Sequence, residues 1–241
     1  MKNTIERLDV GAQPWKVLGT HGLRAKPLNV DPDSGARTAY VDIPAAWKGG
    51  GVAHFHDFFE EVFVIQGDVS LDGRNFLGDG AYIYRPAGIV HGHDEGAILG
   101  CRALIRSGGP LELKLVWQPI APHEYVLHPH DDGRPFILGL ETAKLPWREE
   151  GTGGARRSVK TLSVDAKTGA ATTLVRLPQS WPGSWALAAD ASWEWFVLSG
   201  SVTLGDGATH GAGTYSFRPP GLPPTFLSSA TGGELILWRG P

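Results

Sequence analysis

Two stretches of this chain repeat each other without a gap. KPLNVDPDSGARTAYVDIPAAW (Lys26 to Trp47) and KTLSVDAKTGAATTLVRLPQSW (Lys160 to Trp181) both open on Lys, carry Val-Asp and Gly-Ala, and close on Pro-x-x-Trp. A second block follows one residue out of step. GDVSLDGRNFLGDGAYIYRPAG (Gly67 to Gly88) matches GSVTLGDGATHGAGTYSFRPPG (Gly200 to Gly221), and both contain Gly-x-Tyr-x-x-Arg-Pro-x-Gly. Repetition on this scale limits the fold to two copies of one supersecondary unit, each of which must bury its own apolar face. The 241 residues supply enough material for two small cores. The Gly-rich stretch Gly151 to Gly154 places the expected boundary there, giving domains 1–150 and 151–241.

Within each copy the apolar runs are short and rich in β-branched and aromatic residues. RTAYVDI, EVFVIQGDVSL and GAYIYRP have counterparts TTLVRL, EWFVLSGSVTL and GTYSFRP. Thirty-three glycines and 18 prolines punctuate them. Glycine reaches positive φ and proline presets turn geometry, so this composition suits many strands joined by tight turns. No stretch keeps a helical period over several turns. The sequence therefore predicts an all-β protein of sandwich or barrel type. The segment from Ser107 to Gly154 reads less clearly, with strand-like LELKLVW and PFILGLE around a His-rich polar turn.

Charge narrows the partners. The formal net charge is -3, with no basic stripe, which argues against nucleic acid. No apolar run is long enough to span a bilayer. The opening MKNTIERLDV has charges where a leader would need an apolar core. The single cysteine, Cys101, forbids an intrachain disulfide. These features predict a cytoplasmic protein that takes a small molecule. Exposed sheet edges would favour pairing of the two copies within one chain as a pseudo-dimer, with a homo-oligomer left open.

The richest chemistry lies in GGGVAHFHDFFEEVFVIQG followed by GDGAYIYRPAGIVHGH. His54 and His56 stand two apart, a spacing that on a strand points both imidazoles to one face. Glu60 opens the next apolar run and offers a hard oxygen ligand. His91 follows the turn Pro86-Ala87-Gly88. Three imidazoles and one carboxylate suit one divalent ion of iron, manganese, nickel, copper or zinc. Glu61 is the reserve for Glu60, because it aligns with Glu194 of the second copy and neighbouring strand residues face opposite ways. His93 is a supporting or surface group.

These residues resemble the two motifs of the cupin superfamily. His54-x-His56-x3-Glu60-x6-Gly67 fits the first, apart from its leading glycine spacing, and Gly80-x5-Pro86-x-Gly88-x2-His91 fits the second in full. The x3 spacing and the Tyr-Arg-Pro-Ala-Gly run are most similar to ChrR-like cupins. That group includes a zinc-binding anti-sigma-factor domain and dioxygenases of diketones or acylphenols. The resemblance implies two tandem cupin barrels (double-stranded β-helix, jelly-roll), of which the first holds the metal. The second lacks the ligands: WALAADAS stands where the HxH pair would be, Pro224 takes the place of His91, and only Glu194 remains. The implied activity is a metal-dependent dioxygenase acting on a small oxygenated compound. The alternatives are a non-catalytic zinc- or ligand-binding module and a metal-dependent lyase or isomerase.

Other features carry less. His128-Pro-His130 with Asp131 and Asp132 reads as a polar surface turn. Cys101, in AILGCRALI, reads as a buried small hydrophobe. Trp181, Trp185, Trp193 and Trp195 read as core of the second copy rather than as a ligand pocket. Tyr82, Tyr84, Arg102 and Arg106 are candidates for orienting a substrate, each set against packing or surface charge.

Overall fold

The computed structural model describes residues 2–19, 22–117 and 133–240. It is almost wholly β. The helical pieces among these residues are two single 3₁₀ turns, Thr142–Lys144 and Gly153–Ala155, and no helix is long and apolar enough to cross a membrane. The expectation of an all-β chain is met, and strand-like pieces of the unclear middle segment form the strands Lys114–Val116 and Ile137–Glu141.

The chain divides into two compact units. One is Pro14–Lys144; the other joins Lys2–Gln13 to Leu145–Pro241. This division differs from a single cut at 150/151. The strand Ile5–Asp9 pairs with Thr214–Arg218 and so completes the sheet of the second unit. That long-range pairing leaves no local trace in the sequence.

The first unit holds a seven-stranded antiparallel sheet. Its strands run in the order Ile137–Glu141, Ala81–Arg85, Glu60–Gly67, Cys101–Ser107, Arg37–Ile43, Leu23–Val30, Lys16–Leu18. Two small sheets accompany it, Ala53–Phe55 with Lys114–Val116, and Trp47–Lys48 with Gly96–Ala97. Val41, Val62, Val64, Ile83 and Ala103 form the centre of its core. Side chains alternate along a strand. Glu60, in phase with Val62 and Val64, therefore shares their face, as Arg85 shares that of Ile83. Glu61, Tyr82 and Arg106 lie on the opposite face.

The second unit is an eight-stranded sheet around Trp181, Trp195, Val197, Leu227 and Leu235, all essentially buried. The expected aromatic core is there.

The repeat is legible in the backbone. Asp31 and Asp165 each close the same turn: each accepts from the glycine four residues on (Gly35 and Gly169, both 2.9 or 2.8 Å) and donates to the alanine after it. Glu61 accepts from Tyr82 Oη at 2.7 Å, and Glu194 accepts from Tyr215 Oη at 2.6 Å. Gly67 and Gly200, aligned in the two copies, both have positive φ, 88° and 67°. A Cβ at Gly67 would lie 1.9 Å from the Gly100 carbonyl oxygen, just before the strand Cys101–Ser107, and one at Gly200 would lie 2.1 Å from that of Gly232.

Cys101 is buried on the inner face, and burial, with Asp68 nearby, pushes its thiol up to about 12. Only the thiolate reacts. We expect a thiol reagent at neutral pH to leave the native protein unlabelled and to label one site per chain in denaturant. Rapid labelling of the native protein would contradict this burial.

Candidate metal centre

His54 lies within the short strand Ala53–Phe55 and His56 directly after it. His91 is brought to them by a pair of backbone hydrogen bonds, His54 N to His91 O and His91 N to His54 O, both 2.8 Å. The turn that follows Arg85 thus docks on the HxH strand and closes the site. Ring centroids are 4.4 Å apart for His54 and His91, 5.4 Å for His54 and His56, and 5.2 Å for His56 and His91. One nitrogen from each ring lies within 4.8 Å of those of the other two. Gly92 makes room for the first ring: a Cβ there would sit 2.3 Å from His54 Cε1.

Each imidazole is oriented by a backbone carbonyl. Nδ1 of His54, His56 and His91 lies 3.3, 2.7 and 2.8 Å from the carbonyl oxygens of Val52, Glu112 and Ile89. A carbonyl only accepts, so Nδ1 carries the proton in each ring and Nε2 keeps a bare lone pair. Ring orientation by such outer partners is the usual support of a metal-binding histidine. Burial lowers the basicity of His91 strongly, helped by the Arg85 cation, and that of His54 more weakly, with Glu95 opposing. Both rings are therefore held neutral, the form that binds a metal.

Glu60 lies beside this cluster and is not among the three residues whose ligand atoms converge. Its Oε2 is 3.9 Å from His91 Nε2 and makes a close ion pair with Arg85. Burial alone would raise its pKa, but Arg85, aided by His56, holds the carboxyl below its ordinary value. Arg85 in turn donates from Nη1 to Glu95 at 2.6 Å. Glu61, the reserve ligand, faces away: Tyr82 Oη, Arg106 Nη1 at 2.8 Å and Arg134 at 3.8 Å surround it. Alternation along the strand puts Glu60 on the His91 side and Glu61 on the other.

The remaining candidates fall elsewhere. His93 is half-exposed and pairs with Asp94 at 3.0 Å. Tyr82 and Arg106 serve Glu61, Tyr84 stacks on Phe59, and Arg102 pairs with Asp42 on the surface. His128 and His130 lie outside the described residues. Sequence reasoning missed the roles of Arg85 and Glu95. The signal for Arg85 was present in the repeated Arg-Pro of Gly-x-Tyr-x-x-Arg-Pro-x-Gly. Nothing in the sequence marks Glu95.

The neutral rings have a consequence for stability. Below about 6.5, the ordinary histidine value, the unfolded chain takes up protons that folded His54 and His91 resist. Stability of the metal-free protein therefore falls as pH drops through that value, because the unfolded state binds more protons. We expect a lower melting temperature at pH 5.5 than at 7.5, with a smaller pH effect in His91→Gln. An equal slope in the variant would remove His91 from this account.

Residues 5–108 match the ChrR cupin-like domain family. Among solved structures, a candidate dioxygenase from Nostoc punctiforme superposes with a TM-score of 0.79 at 20% identity, covering 99% of this chain and 86% of its own. Bacillus subtilis oxalate decarboxylase superposes with a TM-score of 0.64 at 11% identity, covering 99% of this chain and 78% of its own. No curated protein sequence matches. At these identities the two structures show a shared fold. Residues 5–108 are thus similar to ChrR-like cupin domains, and the histidine cluster lies within that stretch.

Proposed function

We propose that His54, His56, His91 and Glu60 hold one divalent metal ion, and that the protein is a metal-dependent dioxygenase-type cupin. Its substrate would be a small oxygenated compound, a diketone or a hydroxyaromatic. The observation that carries this reading is the convergence of three imidazoles whose Nδ1 positions are all committed to backbone carbonyls. The donor set fits a transition metal or zinc, with three neutral nitrogens and one hard oxygen. An ion bound there would supply a Lewis acid and a template for an oxygen donor.

The residues themselves set the preference for the ligand. Three neutral rings and one carboxylate leave a divalent ion with a formal charge of about +1. Arg85 adds a further cation beside Glu60. Such a site favours an enolate, phenolate or carboxylate over a neutral or cationic molecule. The candidate dioxygenase from Nostoc punctiforme and the Mn(II) centres of Bacillus subtilis oxalate decarboxylase support a catalytic reading by analogy of fold alone.

We also read the two units as tandem cupin barrels, a metal-bearing one in Pro14–Lys144 and a degenerate one that joins Lys2–Gln13 to the chain after Lys144. In the latter, Trp193 pairs with Arg218 where Glu60 pairs with Arg85 in the former. The lone buried thiol suits a reducing compartment, the cytoplasm.

The test is metal analysis of protein purified without added metal, followed by oxygen-electrode measurements with β-diketones and hydroxyphenyl ketones. Iron or another redox-active ion with substrate-dependent oxygen uptake is the expected result. The ChrR-like domain favours one second reading, a zinc-binding sensor or binding module. Four protein ligands can close the shell of tetrahedral zinc. Tightly held zinc without oxygen uptake would select it. Substrate turnover without oxygen would select a lyase or isomerase.

A further inference from the structure

The chain contains its own comparison for the arginine beside the histidines. Arg85 and Arg218 occupy the same place in the repeated Arg-Pro motif, and each lies across the sheet from the position that Glu60 fills in the first copy. In the second copy that position is Trp193 and His91 is replaced by Pro224. There Arg218 donates to the Pro223 carbonyl at 2.9 Å, in a surface setting. In the first copy the Arg85 side chain is only 7% exposed and lies between two acids. Nη2 meets Glu60 and Nη1 meets Glu95, while Nε finds no hydrogen-bond partner among the described residues.

The second acid is firmly placed. The Glu95 carbonyl accepts from Gly49 N at 2.7 Å, and the next two residues pair with Trp47–Lys48. A guanidinium facing one carboxylate prefers to bind both of its oxygens at once. Facing two, it gives one arm to each. Glu95 therefore limits how much of Glu60 the arginine can take.

We propose that Arg85 and Glu95 are positioning residues for the metal centre, with Glu95 occupying one arm of Arg85 so that Glu60 is held by the other, next to His91 and open to an ion. This rests on the metal reading given above and extends it to two residues that do not touch the ion. Outer partners of this kind typically change metal affinity by about 10–100-fold.

Cobalt(II) is a suitable probe, because its visible absorption reports ligand number and its affinity can be measured against a chelator. Full-length wild type, Glu95→Gln, Arg85→Lys and Arg85→Met would be titrated, with a melting curve for each. In Glu95→Gln the freed arm of Arg85 turns to Glu60. The expected result is a loss of Co(II) affinity of about tenfold or more, with an altered visible band. Arg85→Lys should recover part of what Arg85→Met loses. Should Arg85→Met fail to fold, Glu95→Gln decides the matter. Wild-type affinity and spectrum in Glu95→Gln, whatever its melting temperature, would overturn the proposal and leave Glu95 a structural acid. Absence of Co(II) binding by the wild type would overturn the metal site itself and this inference with it.

Discussion

His91→Ala, His54→Ala and His56→Ala are each expected to abolish retention of metal through gel filtration, where the wild type keeps a near-stoichiometric ion. The three rings are not equivalent in the reason. Removing His91 or His54 takes away one of two facing imidazoles 4.4 Å apart, yet the backbone bridge between these residues persists. Removing His56 leaves the Glu112 carbonyl without the ring nitrogen it accepts from. A remnant of two histidines and one carboxylate has as many donors as some known metal sites, but it has lost one of its four, and with it the affinity that retention through gel filtration requires. The loss should be one of affinity rather than of folding. His54 is partly exposed, so its truncation leaves no large sealed cavity. The measurement is metal content per chain, together with a far-ultraviolet spectrum to show that the variants are folded. His93→Ala is the control, since His93 is half-exposed and pairs with Asp94 outside the cluster. Metal content that survives all three cluster substitutions would place the ion elsewhere.

Gly67→Ala is expected to be the most damaging small change in the first unit. The left-handed backbone itself costs a non-glycine residue about 1–2 kcal/mol. The new Cβ would also lie 1.9 Å from the Gly100 carbonyl oxygen and 2.9 Å from its carbon, so two paired strands must separate. Overpacking of this kind typically adds about 1–3 kcal/mol. The sum, about 2–5 kcal/mol, is a large share of a total stability of about 5–15 kcal/mol. Gly51→Ala isolates the first effect: φ is also positive, at 67°, but nothing lies within 4 Å of the new atom. Urea denaturation should show Gly51→Ala losing about 1–2 kcal/mol and Gly67→Ala clearly more. Equal losses would mean that the strands at Gly67 and Gly100 yield without cost. Gly200→Ala should behave like Gly67→Ala, because the aligned residue faces the Gly232 carbonyl at 2.1 Å.

The two histidine motifs were readable because each is short-range. His54 and His56 share a face by strand alternation, and the Gly80-to-His91 run is one strand and one turn. The choice of Glu60 over Glu61 needed more. Spacing favoured one and the repeat favoured the other, and both signals were sound. Glu60 lies 3.9 Å from His91, while Glu61 and Glu194 keep a tyrosine bond common to both copies. The repeat therefore recorded a structural acid, and the spacing recorded the one beside His91.

Local chemistry in the sequence determined the all-β character, the duplicated turns at Asp31 and Asp165, the histidine cluster and the loss of that cluster from the second copy. The strands and turns depend on residues near one another along the chain or on a period of two, and the cluster on two short motifs that one backbone bridge joins. Tertiary structure alone decided that Ile5–Asp9 completes the sheet of the second unit, that Glu112 orients His56 across 56 residues, and that Glu95 shares Arg85 with Glu60. These are contacts between distant segments, whose partners are chosen by how strands pack and which edge remains open. No spacing rule written along the chain contains that information.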